Sequence, residues 1–193
     1  MTEYRQESQG LLSICLHEPA ECQRMVERIR RLDGWVPAQV RDVTADGRSQ
    51  TLTEPDVRST QILLTEQAEP IYRAFELALN AKVKPLVKQL WQIDLADHFG
   101  TQILRYGPAD HYAPHQDTGL GFESRYFSVV CYLNDDFLGG ETSFPGLGYT
   151  AKPITGKAIV FPSYYLHGSV PVKRGEKFVI VSWLRGPVPI KWI

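Results

Sequence analysis

Two histidines and one aspartate in this chain have the residue types and the spacing of a metal site. His115 and Asp117 are separated by one residue, and His167 follows fifty residues later. Side chains at positions i and i+2 of an extended segment point to the same face, so His115 and Asp117 can approach one ion without distorting the backbone. Two imidazoles and one carboxylate form the facial triad, which holds Fe(II) and leaves positions open for an organic co-substrate and oxygen. The pattern predicts an iron-dependent oxygenase.

Other interpretations of these residues remain open. Calcium and magnesium prefer sites made mostly of oxygen ligands, whereas zinc is chemically possible here. A zinc-dependent hydrolase is therefore an alternative, although the motifs contain no separate residue placed as its general base. The remaining histidines, His17, His98 and His111, have no second ligand at a useful spacing and are interpreted as structural. His111 is close enough in sequence to the site to contact one of its ligands or to line its entrance.

Lys177 lies in a segment with the alternation of a β-strand. Lys177, Val179, Val181 and Trp183 are expected to share one face of that strand. A lysine beside two valines and a tryptophan is out of place on a solvated surface and is typical of a buried counter-ion. A dianionic keto acid would need such a cation, because an unpaired buried carboxylate is very costly. Arg174, in a predicted exposed turn, is the alternative anchor.

The segments that carry these residues have a β-rich texture. Residues 159–161 and 178–181 are predicted strands on either side of His167, and residues 127–134 form a further strand. From Thr101 onward, short apolar runs alternate with Gly and Pro, which is typical of a double-stranded β-helix or jelly roll.

The preceding half of the chain has helical periodicity. Helices are predicted over residues 19–32, which begin at a proline, and over residues 68–90, where Pro85 is expected to kink or divide the helix. The second helix has one apolar side, formed by Ile71, Phe75, Leu79, Val83 and Leu86. With a short strand at residues 11–16, we expect an α+β fold in which N-terminal helices buttress a jelly-roll core.

Bulk properties exclude several classes of protein. A chain of 193 residues predicts one domain over 1–193, with a helical buttress at about 1–100 and a β core at about 101–193. The net charge is −1 and no basic run is long, so nucleic acid is not an expected partner. No apolar run approaches membrane-spanning length and the N-terminus is polar, so a cytoplasmic protein without membrane contact is expected. Cys15, Cys22 and Cys131 are interpreted as core residues in a reducing compartment.

Three segments are candidates for the rim of the site. Residues 41–56 are rich in Asp, Thr, Gly and Ser and are predicted to be a loop that could close over the site. Residues 119–125 and 145–150 are two further candidates. A mobile surface loop without a lid function is the alternative interpretation for each.

Several motifs occur in a fixed order around the triad. They are Arg105-Tyr106-Gly107, Tyr112 before His115-Gln116-Asp117, Cys131-Tyr132-Leu133-Asn134-Asp135, Gly139-Gly140-Glu141-Thr142-Ser143-Phe144, Pro153-Ile154-Thr155-Gly156-Lys157-Ala158, His167-Gly168 and Lys177. In this order they resemble the catalytic domain of the prolyl 4-hydroxylase type, within the 2-oxoglutarate and Fe(II)-dependent oxygenases. The resemblance covers about Gln102 to Leu184. Earlier in the chain, Asp56-Val57-Arg58-Ser59-Thr60 resembles the entry into the family's first core strand, and Ala20-Glu21-Cys22 resembles its opening helix.

The resemblance implies roles for individual residues. His115, Asp117 and His167 would be the iron ligands, and Lys177 would pair with the distal carboxylate of 2-oxoglutarate. Tyr132 would help bind that carboxylate, and Tyr106 and Thr142 would line the co-substrate pocket. The two tyrosines are also open to the interpretation that they only fill a core. The candidates for the substrate-side wall are Tyr112, Trp183 and Arg58.

The resemblance also implies a reaction. Resembling halogenases replace the carboxylate ligand with a small residue, so the presence of Asp117 favours hydroxylation of an unactivated C–H bond with release of succinate and carbon dioxide. The implied requirements are Fe(II), 2-oxoglutarate, O2 and ascorbate (vitamin C) as a stimulant, in a monomer or homodimer. A small-molecule or biosynthetic substrate is the first expectation and a peptidyl proline the second. A metal-binding jelly-roll sensor without turnover is the rival from another class.

Overall fold

Segments in which every second residue is apolar form strands, and segments with apolar residues at helical spacing form helices. The computed structural model describes residues 3–43, 49–119 and 121–187. The strands are β1 (Tyr4–Ser8), β2 (Leu11–Cys15), β3 (Trp35–Pro37), β4 (Val40–Val43), β5 (Ser49–Leu52), β6 (Gln61–Leu63), β7 (His98–Tyr106), β8 (Tyr112–His115), β9 (Arg125–Tyr132), β10 (Leu138–Gly139), β11 (Thr142–Phe144), β12 (Tyr149–Ala151), β13 (Lys157–Pro162), β14 (His167–Ser169), β15 (Val172–Arg174) and β16 (Lys177–Arg185). The helices are α1 (Pro19–Ile29), α2 (Glu69–Ala78) and α3 (Lys84–Trp91).

Two antiparallel sheets form the β core. The major sheet has eight strands in the order β1-β2-β13-β9-β16-β7-β6-β3, and the minor sheet has four in the order β12-β11-β14-β8. Two short pairs, β4 with β5 and β10 with β15, complete the pairing of the described strands. The predicted α+β fold with a jelly-roll core is confirmed.

Alternation along the central strands gives the major sheet two apolar faces. On β16, Phe178, Ile180 and Leu184 pack in the cluster that includes the buried residues of α1, α2 and α3. Val179 and Val181 belong to the opposite cluster, which lies toward the minor sheet. Because successive side chains of a strand point to opposite faces, one strand contributes to both cores. The predicted shared face of Lys177, Val179, Val181 and Trp183 is the one that faces the minor sheet.

The helices cover the outer face of the major sheet. The apolar side predicted for the second helical segment is buried along its whole length. Pro85 divides this segment, because a π-helical turn at Leu79–Val83 separates α2 from α3. A proline ring clashes with the carbonyl four residues earlier, and the wider turn relieves that contact.

One predicted boundary and one predicted type of segment were wrong. Helix α1 ends at Ile29 instead of residue 32, because the N–H groups of Arg31 and Leu32 bond carbonyls three residues back, which tightens and ends the helix. Residues 41–56 are not an irregular loop, since β4 and β5 pair as a hairpin in which β-branched residues such as Val40 and Thr51 favour extended backbone. Residues 44–48 of this segment lie outside the described part.

The N-terminal region also differs from a purely helical buttress. Strands β1, β2, β3 and β6, all from the first hundred residues, extend the major sheet at both ends. Cys22 and Cys131 are buried free thiols, but Cys15, expected in the core, is exposed because it is the last residue of β2, beyond the buried run. None of the described helices is both long enough and apolar enough to cross a membrane.

Candidate active site

Strands β8 and β14 bring the three predicted ligands together. Antiparallel pairing sets His115 opposite His167, and their ring centroids are 4.4 Å apart. Asp117 follows β8, and its Oδ1 lies 3.4 Å from Nε2 of His115 while its Oδ2 lies 3.3 Å from Nε2 of His167. One candidate ligand atom from each of the three residues lies within 4.8 Å of the others. The spacing that suggested a metal site therefore corresponds to a real convergence of side chains.

Both imidazoles are held through the nitrogen that faces away from Asp117. Nδ1 of His115 lies 2.9 Å from the carbonyl oxygen of Ala113, and Nδ1 of His167 lies 2.9 Å from that of Tyr165. A carbonyl oxygen only accepts, so Nδ1 of each ring carries a proton and the other nitrogen, Nε2, is the one that faces the centre. Metal-ligating histidines are oriented by the same kind of bond.

Aromatic rings restrict the movement of the two histidines. Tyr112 stacks on His115 with ring centroids 3.7 Å apart, and Phe161 contacts His167 edge-on with centroids 4.6 Å apart. Because each ring is clamped by a carbonyl and by an aromatic neighbour, the positions of both Nε2 atoms are set before any ligand binds.

The charges at this centre are coupled. Burial lowers the pKa of His115 more than its contact with Asp117 raises it. At His167 burial also acts to lower the pKa, but the charge and the hydrogen bond of Asp117 outweigh burial and the pKa is raised. Burial would raise the pKa of Asp117, yet the two histidines outweigh it and hold that pKa well below the ordinary value. The carboxylate is therefore ionised at neutral pH.

Lys177 is enclosed by neutral groups. Its side chain is 1% exposed, and its Nζ donates to the carbonyl oxygen of Gly140 and to Oγ of Ser169, both at 2.7 Å. The Nζ also lies 4.3 Å from the ring centroid of Tyr106. Within the described ranges no carboxylate lies within 4 Å of it, and burial lowers its pKa from 10.5 to about 7, against a smaller opposing effect of Glu141. A buried cation without a counter-ion is suited to bind an anion.

The other predicted co-substrate residues separate into two groups. Tyr106 and Thr142 line the same cavity as Lys177, whereas Tyr132 is fully buried behind Thr142 and does not line it. The Tyr132 hydroxyl lies 2.6 Å from Oγ1 of Thr142 and accepts from its backbone N–H at 3.2 Å. Burial raises the pKa of Tyr132, so this hydroxyl stays protonated and can fix Thr142. Arg174 is exposed on β15, away from the cavity lining.

A cavity of about 960 Å3 joins the metal-site residues to Lys177. All three residues predicted for the substrate side, Arg58, Tyr112 and Trp183, line it. Arg58 is 8% exposed, donates to the Gln39 carbonyl at 3.1 Å and to Oε1 of Gln102 at 3.3 Å, and lies 4.7 Å from the ring centroid of Tyr112. Its Nε is buried and has no hydrogen-bond partner in the described part of the chain.

Arg125 is a cavity residue that sequence reasoning missed. Its guanidinium lies 3.8 Å from the ring centroids of both Phe122 and Trp183, and its NH1 donates to the backbone carbonyl of Asp117 at 3.1 Å. Its Nε is buried without a partner among the described residues, and burial lowers its pKa to about 10. A register shift in the pairing of β9 and β16 lies beside this residue, so strand alternation could not have indicated its direction.

The candidate rim segments do not contribute equally. Four residues of the 41–56 segment line the cavity: Arg41, Thr51, Leu52 and Glu54. From the 119–125 segment, of which residue 120 is not described, the cavity is lined by Gly119, Phe122 and Arg125. No residue of 145–150 lines it.

The three histidines predicted to be structural lie elsewhere. His17 pairs with Glu21, His98 pairs with Glu76, and His111 bonds the backbone carbonyl of Asp56. None of the three lines the cavity, so His111 is not at its entrance.

Comparison with known proteins agrees with this geometry. Residues 101–185 match the family model described as the 2OG-Fe(II) oxygenase superfamily. This part of the chain, which includes the candidate metal ligands and Lys177, therefore resembles members of that superfamily. An Acanthamoeba polyphaga mimivirus protein that is named as a prolyl 4-hydroxylase is 30% identical over 130 residues, which is 55% of this chain and 54% of the relative. The chain thus spans about half the length of that curated relative. The resemblance to the prolyl 4-hydroxylase type is confirmed.

Solved structures share the fold of this chain. A prolyl-4-hydroxylase from Pseudomonas putida superimposes with a TM-score of 0.67 and 21% identity, covering 91% of this chain and 92% of the other. A prolyl hydroxylase from Trichoplax adhaerens, solved in complex with a hypoxia inducible factor peptide fragment, superimposes with a TM-score of 0.72 and 16% identity, covering 91% and 83% of the two chains. At these identities the likeness concerns the fold.

Proposed function

We propose that this chain is an Fe(II)- and 2-oxoglutarate-dependent hydroxylase. The observation that carries the proposal is that one cavity contains both the His115–Asp117–His167 convergence and a buried lysine that has no carboxylate within 4 Å among the described residues. The first feature suits a divalent metal and the second suits a carboxylate. Their combination in one space is what a metal-dependent enzyme with a dicarboxylate co-substrate requires.

The residues present fit Fe(II). Two imidazoles and an ionised carboxylate are the donor set of the facial triad, and both Nε2 atoms face the carboxylate while each Nδ1 donates to a backbone carbonyl. His115, Asp117 and His167 are therefore the proposed ligands. The same donors leave the other coordination positions to non-protein ligands.

The residues present also fit 2-oxoglutarate. Ser169, which accepts from Lys177, is two residues from His167 on the same strand, a separation of about 7 Å along an extended chain. A five-carbon diacid can reach across such a gap, with its keto-acid end at the metal and its far carboxylate at Lys177. Thr142 and Tyr106 would line its path, and Tyr132 would act through Thr142.

When bound, Fe(II) and 2-oxoglutarate supply the oxidative decarboxylation of the keto acid by O2 and the transfer of one oxygen atom to a C–H bond of the substrate. The protein's part is to bind, orient and exclude side reactions. The buried apolar side chains of Val179 and Phe161 limit water around the centre. Asp117, rather than a small residue, completes the ligand set and favours hydroxylation.

The substrate proposed first is a prolyl residue of a peptide. Two findings support this: relatives of the chain are named as prolyl 4-hydroxylases, and one structural neighbour of the chain is a prolyl hydroxylase in complex with a peptide fragment. The second candidate is a small molecule that carries a carboxylate. It is supported by Arg58 and Arg125, which line the cavity with no carboxylate within 4 Å among the described residues. A neutral substrate that covered both would leave two desolvated cations unpaired, which is costly.

The experiment is a succinate-release assay with Fe(II), 2-oxoglutarate and O2, run with proline-containing peptides and with small carboxylic acids that are paired with their amides. The His167→Ala variant is the control for iron dependence. Succinate release that the peptides stimulate supports the first candidate, and stimulation by acids but not by their amides supports the second. In the latter case Arg58→Gln should raise the KM for the acid without changing that for 2-oxoglutarate. Metal binding without succinate release would instead indicate a sensor, and hydrolysis with zinc would overturn the proposal.

A further inference from the structure

Two buried serines make contact with the carboxylate of Asp117. Ser128 on β9 is 1% exposed and Ser163, just after β13, is 0% exposed. Ser128 Oγ donates to Oδ2 of Asp117 at 2.7 Å, and the two serine Oγ atoms are 2.9 Å apart. The carbonyl oxygen of Ser163 also accepts the backbone N–H of Asp117 at 2.9 Å. Asp117 is therefore held through both its side chain and its backbone.

The direction of this hydrogen-bond chain follows from counting protons. A serine hydroxyl has one proton to donate, and that of Ser128 is used on the carboxylate. The contact between the two hydroxyls must then be donated by Ser163. The order is Ser163 to Ser128 to Asp117, a chain in which each bond polarises the next.

We propose that Ser128 and Ser163 are positioning residues that prepare Asp117 to bind the metal, a role that rests on the proposed metal site. The bond from Ser128 occupies Oδ2 and fixes the rotation of the carboxylate, which leaves Oδ1 as the freer oxygen. A carboxylate that could rotate would bind the metal less tightly, because binding would also have to order it. A carboxylate that Ser128 holds is already ordered. Ser163 acts only through Ser128 and through the backbone of Asp117.

A purely structural role predicts a different outcome. If the hydroxyls only filled space in the core, their replacement by alanine would change the free energy of unfolding but not the affinity for a metal. Ser182 offers a matched control, because it is also 0% exposed and its Oγ lies 3.0 Å from Oγ1 of Thr101, on a bond that does not involve the metal-site residues.

The test is the dissociation constant of Mn(II), measured by electron paramagnetic resonance on the full chain without co-substrate. Ser128→Ala should weaken Mn(II) binding by about 10-fold, within the range seen when the partner of a metal ligand is removed. Ser163→Ala should weaken Mn(II) binding less. The double variant should have the same dissociation constant as Ser128→Ala, since the side chain of Ser163 contacts Asp117 only through Ser128. Ser128→Thr, which keeps the hydroxyl, should restore binding, and Ser182→Ala should leave it unchanged.

Each contrary result is separable from failure of the proposed function. Unchanged Mn(II) affinity in Ser128→Ala, or additive losses in the double variant, overturns the serine proposal while the metal site stands. Absence of Mn(II) binding in the unaltered chain, or unaltered binding in His167→Ala, overturns the metal site itself. Thermal unfolding of each metal-free variant checks folding. If Ser128→Ala does not fold, Ser163→Ala decides: a smaller but measurable loss of affinity supports the chain of bonds, and no loss overturns it.

Discussion

The affinity for 2-oxoglutarate should fall as pH rises through neutrality, because its proposed anchor loses its proton there. Burial lowers the pKa of Lys177 to about 7 in the free protein. A distal carboxylate interacts favourably with the ammonium and has no such interaction with the neutral amine. Binding should therefore be accompanied by protonation of Lys177, and the apparent dissociation constant should follow the fraction of protein in which Lys177 is charged.

The size of this effect follows from the lowered pKa of Lys177. With a pKa of about 7, the charged fraction falls from about nine-tenths at pH 6 to about one-tenth at pH 8, so affinity weakens about tenfold, or about 1.4 kcal/mol. Over the same interval the uptake of protons on binding should rise from about 0.1 to about 0.9 per site. Titration calorimetry with Mn(II)-loaded protein, in two buffers with different ionisation heats, measures both quantities.

Two comparisons isolate Lys177 from the histidines. A monocarboxylate keto acid, 2-oxobutyrate, shares the metal but has no distal carboxylate, so the ratio of its affinity to that of 2-oxoglutarate cancels the titration of the metal ligands. The Lys177→Arg variant stays charged throughout this range and should lose the pH dependence of that ratio. A ratio that is flat between pH 6 and pH 8 in the unaltered chain would refute the reasoning, since Lys177 would then be charged already or would not contact the co-substrate.

Three further outcomes are expected. His167→Ala should weaken Mn(II) binding by more than about 100-fold, because it removes a ligand rather than a ligand's partner; paramagnetic resonance measures this. Gly168→Ala should destabilise the fold by about 1–3 kcal/mol in denaturant unfolding and weaken metal binding. The reason is that an added Cβ would lie 2.7 Å from the carbonyl oxygen of Tyr112 and separate β14 from β8. Unchanged values in both assays would contradict this prediction. The unaltered chain should gain about 2 kcal/mol of stability from pH 7 to pH 9, because the pKa of Lys177 in the folded state lies below the unfolded value of 10.5 and the unfolded state therefore binds more protons in that window. Lys177→Met should lack this gain.

Local pattern was sufficient for the parts of the site that lie on regular strands. The i and i+2 rule placed His115 and Asp117 on one side, and alternation from Lys177 to Trp183 predicted which face of β16 meets the cavity. Extending the same alternation along β9, backwards from Tyr132, would also have indicated Ser128 as an inward-facing residue.

Contacts that depend on irregular backbone could not be predicted in this way. Arg125 lies beside a register shift, and Ser163 follows β13 in a turn, so no periodicity gives the direction of either side chain. The 41–56 segment is polar because one side of its hairpin faces a cavity and solvent, and polarity alone does not distinguish a hairpin from a loop. In each case tertiary contacts, not local propensity, decide the structure.

The arrangement along β16 explains why a single register error would abolish the whole site. Lys177 lies at one end of the strand and Trp183 near the other, with Val179 and Val181 between them on the same face. Six residues of strand span about 20 Å, which is enough to separate a co-substrate anchor from a substrate wall. A slip of one residue would turn Lys177 toward the apolar helices and bring Phe178 into the cavity. The close pairing of β16 with both β7 and β9 therefore fixes the chemistry of the site as well as the stability of the sheet.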